Sequence, residues 1–207
     1  MLPAMSGAGA SSVTYNRVLR KAIHILAGAG ALTLKFIPYP AMVGAAVAAV
    51  ALSFIPGKWI PFYQKFAKPE DVRAGGLIGV RYYFIAVALV IAIWGRANPE
   101  IPTAAWLILA VADGLSGIVG RKNALPIPYN RSKTSVGSIA FLASAFGCVM
   151  FTYAWFGVPI ADAQVFSALV IALATAFVES LPPVVDDNLM VGVASGILLY
   201  LSNVLIK

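Results

Sequence analysis

Residues 106–138 read WLILAVADGLSGIVGRKNALPIPYNRSKTSVGS. An apolar run carries one acid, Asp113. Small residues follow, then four cations: Arg121, Lys122, Arg131 and Lys133. A charged side chain near the centre of a lipid-spanning helix costs ~2.5–3.5 kcal/mol on an insertion scale. Such an acid is expected to face protein groups, water or a metal. The stretch therefore predicts a helix inside a bundle, with a polar site at the end where the cations follow. The competing expectation is an ion pair that serves structure alone.

The rest of the chain fits a bundle in lipid. Of its 207 residues 60% are hydrophobic and only 11% charged, and mean hydropathy is +0.87. Soluble domains carry about 25% charged residues, so this chain has too few to cover a water-facing surface. Seven apolar segments lie near 19–36, 40–55, 77–95, 102–120, 136–157, 163–181 and 189–206. A membrane-spanning helix takes about 20 residues at ~1.5 Å each. The expected fold is all-α, a polytopic transmembrane bundle of about seven spans, forming one domain over 17–207. Segment 40–55 is short and bounded by Pro40 and Pro56, so it either spans or re-enters. Residues 1–16 read as a mobile tail of small residues. They have no early base and no apolar core, unlike a signal or transit peptide. The single cysteine, Cys148, permits no intrachain disulfide, and Cys/His zinc spacing is absent.

The net charge of +7 sits in short loops, which points to topology rather than to nucleic acid. With seven spans, eleven of the fifteen Lys and Arg residues fall on the side of the N-terminus. Lys35, Arg96 and Lys207 fall on the other, and Arg81 lies inside the third span. The positive-inside rule then puts the N-terminus in the cytoplasm. Trp94, Trp106 and Trp155 fall at the opposite interface and Trp59 at the cytoplasmic one, where tryptophan is favoured.

On that topology the polar residues converge. Asp113, Gly117 and Arg121 share a helix face. Gly114, Gly117 and Gly120 admit either a neighbouring helix or a ligand to the backbone. Arg131, Ser132, Lys133, Thr134 and Ser135, at the start of the fifth span, suit phosphate oxygens beside helix N–H groups. In FVESLPPVVDDNLM, residues 177–190, the prolines end a helix near Glu179. Asp186 and Asp187 follow, with Asn188 as the expected N-cap of the last helix. These acids form either a hydrated loop or part of the site.

In the first span Arg17, Lys21, His24 and Gly28 share a face with Arg20 close by. His24 reads equally as a packed and as a functional residue. Arg81 either joins the cations or snorkels beside Tyr82 and Tyr83. Carboxylates suit Mg²⁺, which bridges phosphates. Cations neutralise the remaining oxygens, and positioning with charge stabilisation is most of what phosphoryl transfer needs. Neither a GxxxxGK[ST] loop nor a protein-kinase glycine loop is present. The residues thus suggest a nucleotide-dependent enzyme acting on a membrane-dissolved substrate. An anion transporter is the competing class, weakened by the lack of polar residues through the outer halves of the last three spans.

Four stretches carry a resemblance: RKAIHILAG (20–28), ADGLSGIVGR (112–121), PYNRSKTSVGSIAFL (128–142) and VESLPPVVDDNL (178–189). They resemble the phytol kinase and farnesol kinase group. That group stands with dolichol kinase and the CTP-dependent diacylglycerol kinases, and more distantly with phosphatidate cytidylyltransferase. The likeness runs over most of the chain from about Arg17. It implies a multi-pass membrane kinase with a cytoplasm-facing site, in the cell inner membrane if the source is prokaryotic. Such a kinase moves the γ-phosphate of CTP to a long isoprenoid alcohol such as phytol, farnesol or geranylgeraniol, with Mg²⁺. A diacylglycerol or dolichol kinase would differ only in the lipid. The KD…GG…DR signature of the cytidylyltransferases is missing, which argues against nucleotide transfer.

The resemblance implies roles for Asp113, Gly114, Arg121, Lys133, Ser135, Gly137, Ser138, Glu179, Asp186, Asp187 and Asn188, with His24 beside them. Joined to the reading of the residues, it gives a full expectation. Asp113, Asp187 and His24 serve the reacting groups. Gly114, Gly117, Arg121, Arg131, Lys133, Ser135, Ser138 and Asn188 hold the nucleotide. Asp113, Glu179, Asp186 and Asp187 hold magnesium. The expected partners are the alcohol, the nucleoside triphosphate and membrane lipid, and no nucleic acid.

Overall fold

The computed structural model describes residues 15–120 and 125–206. Most of the predicted tail, Arg121, Lys122 and Lys207 lie outside the described residues. Each apolar segment forms a helix: α1 (Arg17–Ala27), α2 (Tyr39–Leu52), α3 (Ile78–Trp94), α4 (Glu100–Val119), α5 (Ser135–Phe156), α6 (Asp162–Ser180) and α7 (Asp187–Ile206). Among the described residues, α4, α5, α6 and most of α7 are long and apolar enough to cross a membrane, whereas α2 and α3 are shorter apolar helices. The expected first span at 19–36 is not one continuous α-helix. After Ala27 the chain tightens into a 3₁₀ helix over Gly28–Lys35. Gly28 sits against Ala110 and Gly30 against the Trp106 ring. Glycines allow that close contact and weaken α-helix there.

The helices alternate in direction. At one end the Tyr39 hydroxyl donates to the Ala92 carbonyl (2.9 Å), Lys35 Nζ to the Trp155 carbonyl (2.7 Å), and Asn203 Nδ2 to Glu100 Oε1 (3.3 Å). At the other end lie the start of α1, α3, α5 and α7 and the close of α4 and α6. The centre is α4, whose apolar window is 72% buried. It carries a π turn at Ile108–Ala112, so the Asp113 N–H reaches back to the Ile108 carbonyl. Such turns locally rotate a helix face.

Two local features depart from expectation. The loop after α4 contains an antiparallel hairpin, β1 (Pro126–Ile127) and β2 (Asn130–Thr134). Asn130 Nδ2 donates to the Ser180 carbonyl (3.1 Å) and the Tyr129 and Ser180 hydroxyls are 2.8 Å apart, which ties the hairpin to the end of α6. The strand NRSKT has no apolar alternation, so periodicity does not reveal it. Second, Asn188 is not the N-cap of α7. Asp186 holds that position, its Oδ1 accepting the Asn188 N–H at 2.9 Å. Aspartate caps as well as asparagine does and stands at the residue before the helix begins.

Candidate functional site

A cavity of about 660 Å³ opens at the charged end of the bundle. Its lining brings together Asp113, Lys133, Glu179 and the Asp186–Asn188 turn, which lie far apart in sequence.

One wall is built by α1 and α4. Lys21 Nζ lies 2.6 Å from Asp113 Oδ2 and also donates to the Asp113 carbonyl at 3.1 Å. Lys21 fits because Gly117 has no side chain: a Cβ there would stand 2.5 Å from Lys21 Cε. His24 Nε2 lies 2.9 Å from the Leu109 carbonyl and 3.3 Å from Asp113 Oδ2. A carbonyl only accepts, so Nε2 carries the proton and donates. The Leu109 carbonyl belongs to the π turn, which ties the irregular backbone to the site. The His24 ring packs on Tyr83 at 4.5 Å, and the Tyr83 hydroxyl accepts from Trp106 Nε1 at 2.7 Å.

The facing wall joins the hairpin to α6 and α7. Lys133 Nζ donates to Glu179 Oε1 at 2.7 Å and lies 3.0 Å from Asp187 Oδ2. Burial works against its charge, but Glu179, Asp187 and Asp113 outweigh it and hold the ammonium above the usual lysine range. Asp186 is pushed above the usual carboxylate range by burial, against the pull of the Asn188 N–H. Asn188 Nδ2 donates to the Gly79 carbonyl at 3.0 Å, joining α7 to α3. At the mouth, Arg20 lies 3.5 Å from Asp71 Oδ2. Asp71 also accepts the Ile78 N–H at 2.9 Å at the start of α3.

The expected residues separate into three groups. Asp113, Asp187, His24, Gly117, Lys133, Ser138, Glu179, Asp186 and Asn188 line the cavity. Three others do not. Gly114 meets the Ile25 side chain and serves helix packing. Ser135 is exposed and donates to the Leu125 carbonyl. Arg131 is exposed on the hairpin. Arg121 lies outside the described residues. Arg81 stacks on Phe54, its guanidinium carbon 4.0 Å from the ring centre, and does not line the cavity. Lys21 and Arg20, read from sequence among the cations gathered at that face, also line the cavity. Their spacing from His24 on one helix was the available signal.

The acids do not form a resident metal site as they stand. Each of Asp113, Glu179 and Asp187 has a lysine ammonium within 3.0 Å. Among the described residues no three of His, Cys, Asp and Glu converge on one point. What the lining does leave open is hydrogen-bonding capacity: Ser138 Oγ and Glu179 Oε2 are buried without a partner. Buried polar atoms are rarely left so.

Fold and site together define a helical, membrane-type protein with a charged cavity at one end of its bundle. Comparison with known proteins narrows this class. The chain is 33% identical over 153 residues to a probable chloroplastic phytol kinase of Triticum aestivum, covering 68% of this chain and 51% of that protein. It is 36% identical over 127 residues to a probable chloroplastic phytol kinase of Glycine max, covering 58% and 39%. It is 34% identical over 130 residues to the chloroplastic farnesol kinase of Arabidopsis thaliana, covering 58% and 41%. The chain is therefore related to the phytol kinase and farnesol kinase group. It spans about half the length, or less, of these curated relatives. No family model and no solved structure matches it.

Proposed function

We propose that this protein is an integral-membrane kinase that transfers the γ-phosphate of CTP to a long-chain isoprenoid alcohol of the phytol, farnesol or geranylgeraniol type. One observation carries the reading. Two lysine–carboxylate clusters face each other across one cavity at the end of an apolar bundle, in a chain similar to kinase-named relatives.

In this reading the triphosphate lies between Lys21 and Lys133, with Arg20 at the mouth. The ammonium groups spread the charge that builds on phosphate oxygens during transfer. Ser138 Oγ is free to donate to one of those oxygens. Magnesium would enter bound to the triphosphate and neutralise part of its charge. The alcohol oxygen attacks the γ-phosphorus, the bond from that phosphorus to the β–γ bridging oxygen breaks, and CDP leaves. Asp113 takes the hydroxyl proton. His24 and Lys21 position its carboxylate from α1. The cavity and the N-terminus face the cytoplasm or its equivalent, with the seven helices crossing the membrane in turn. The cation count on that side supports this topology.

The test is transfer by purified protein in lipid nanodiscs, with CTP labelled at the α- or the γ-phosphate. Phytol, farnesol, geranylgeraniol and diacylglycerol are offered in turn. Label from the γ position in an isoprenoid alcohol is expected. Label from the α position would mean nucleotidyl transfer, and label in diacylglycerol alone a different lipid. No transfer to any acceptor would overturn the kinase reading.

A further inference from the structure

Most seams between helices around the cavity are closed by backbones that run close together, often with a glycine at the contact. Between α1 and α4, Gly28 rests on Ala110 and Gly114 on Ile25. Between α4 and α5, a Cβ on Gly120 would come 3.1 Å from the Gly137 Cα. Between α3 and α7, a Cβ on Gly192 would come 2.9 Å from that of Ala86, and one on Gly196 would come 2.6 Å from the Trp94 ring.

The seam between α1 and α3 is different. Their backbones approach closely at no more than a couple of positions. Side chains bridge them instead, with Arg20 over Gly79 and the His24 ring on Tyr83. The cavity runs into this seam. Both helices start at the cavity mouth, so depth can be read along them. On α1 the lining passes from Arg17 and Arg20 to Ile23 and then Ala27, about 10 Å below Arg20 at ~1.5 Å per residue. On α3 it passes from Gly79 to Val80 and Phe84. On the α5 side the lining stops at Ser138. Along this seam the deepest lining groups, Ala27 and Phe84, are apolar, and the mouth is charged. Ile23 is 44% exposed, so the apolar wall continues to the outer surface of the bundle.

We infer that the α1–α3 seam is the seat of the alcohol's hydrocarbon chain and its lateral way in from the bilayer, with Ile23, Ala27, Val80 and Phe84 setting which chains fit. This rests on the kinase reading for the identity of the occupant. Continuity favours a hydrocarbon. The apolar slot joins the charged cavity with no break, and His24, one turn above Ala27, is 3.3 Å from Asp113. A chain lying in the slot would end at the carboxylate that receives its hydroxyl proton. A free nucleotide or a polar solute would leave the lower slot unmatched.

The test fills the slot. Ala27→Phe should lower kcat/KM for geranylgeraniol by about tenfold or more, while transfer to the short, water-soluble alcohol prenol stays within about threefold. Equal loss for both alcohols, or loss for neither, would overturn the seam.

A second measurement needs no activity. Val80→Cys is placed in a Cys148→Ala background, and its maleimide labelling in nanodiscs is timed. Geranylgeraniol should slow labelling at least about threefold and CTP alone should not, because a ligand seated over the slot shields only the groups beneath it. Unchanged labelling with geranylgeraniol sinks the inference. If the wild-type protein transfers phosphate to no alcohol, the kinase reading fails, and the labelling result still decides whether the seam holds a lipid chain.

Discussion

The two ends of the bundle use similar polar residues to opposite effect. At the far end Glu100 pairs with Asn203, the Ser167 hydroxyl bridges Ser202 and Tyr153, and Lys35 reaches the Trp155 carbonyl among three aromatic rings. Of these groups Glu100, Tyr153 and Asn203 border a space of only about 10 Å³. At the cavity end the groups are also paired, yet they line about 660 Å³. Pairing there is between full charges, lysine to carboxylate. A polar group at a helix end is thus no evidence of function by itself. Charge facing open volume is the distinguishing mark.

The largest expected effect follows from Asp113. Asp113→Asn keeps the shape and can still accept from Lys21 and His24, but it cannot take a proton. Phosphotransfer should fall by about 10²–10⁴-fold, the usual contribution of a general base. The protein should still insert and elute as folded on size exclusion. Activity near wild type would remove Asp113 from the chemistry and leave the two ends alike.

Next is Lys133→Met. The substitution leaves Glu179, 4% exposed, without its cation. Breaking a buried pair by removing one partner costs about 3–5 kcal/mol, so both the melting temperature in detergent and the activity should drop. The sign with pH is fixed. A lysine pKa raised in the folded state stabilises fully below its unfolded value near 10.4 and loses that contribution as pH rises through the folded value. From the lysine's side the gap between wild type and Lys133→Met should therefore hold at neutral pH and narrow above about pH 10. A gap that vanishes near neutrality would mean that Lys133 is not the stabilising charge.

Gly117→Ala is milder in stability and informative about position. Its Cβ would strike the far end of a flexible side chain, Lys21 Cε at 2.5 Å, rather than backbone. The fold should lose under about 1 kcal/mol, since surface-like adjustments stay small. Lys21, however, must shift beside Asp113, 2.6 Å away, while the two charges stay paired. The expected outcome is activity reduced about tenfold with little change in melting, as one misplaced catalytic contact produces. The reverse pattern would make Gly117 a packing residue like Gly114.

How much of this was legible beforehand depends on range. Each of the seven apolar runs holds a helix because run length is a local signal, although the first changes to 3₁₀ after Ala27. Asp113 stood out because a lone acid in an apolar run is costly wherever the helix packs. The Lys21–Asp113 contact joins residues 92 apart, and nothing local specifies such a partner. The same holds for Lys133 with Glu179, and for the hairpin that carries Lys133 and is anchored to Ser180 by Asn130 and Tyr129. Gly114 and Gly117 look identical in sequence. Only the neighbouring helix decides that one meets Ile25 and the other Lys21.

The smallest effect belongs to the far end. Lys35 Nζ donates to the Trp155 carbonyl at 2.7 Å and lies 5.3 Å from the Trp155 ring centre. A cation beside the last carbonyls of α5 complements that helix end. Lys35→Met keeps much of the aliphatic stem over the rings and removes only the charge. Lys35 is exposed, so the loss should be about 0.5–1 kcal/mol, the range for exposed cation–π and helix-end contacts. It should appear as a small fall in melting temperature that shrinks further in high salt. Phosphotransfer should be unchanged, because no group at that end touches the cavity. If transfer fell with Lys35→Met while the fold stayed intact, the two ends would be coupled through α1 and its 3₁₀ extension. The contrast between an inert end and a reactive one would then have to be redrawn along the whole first helix.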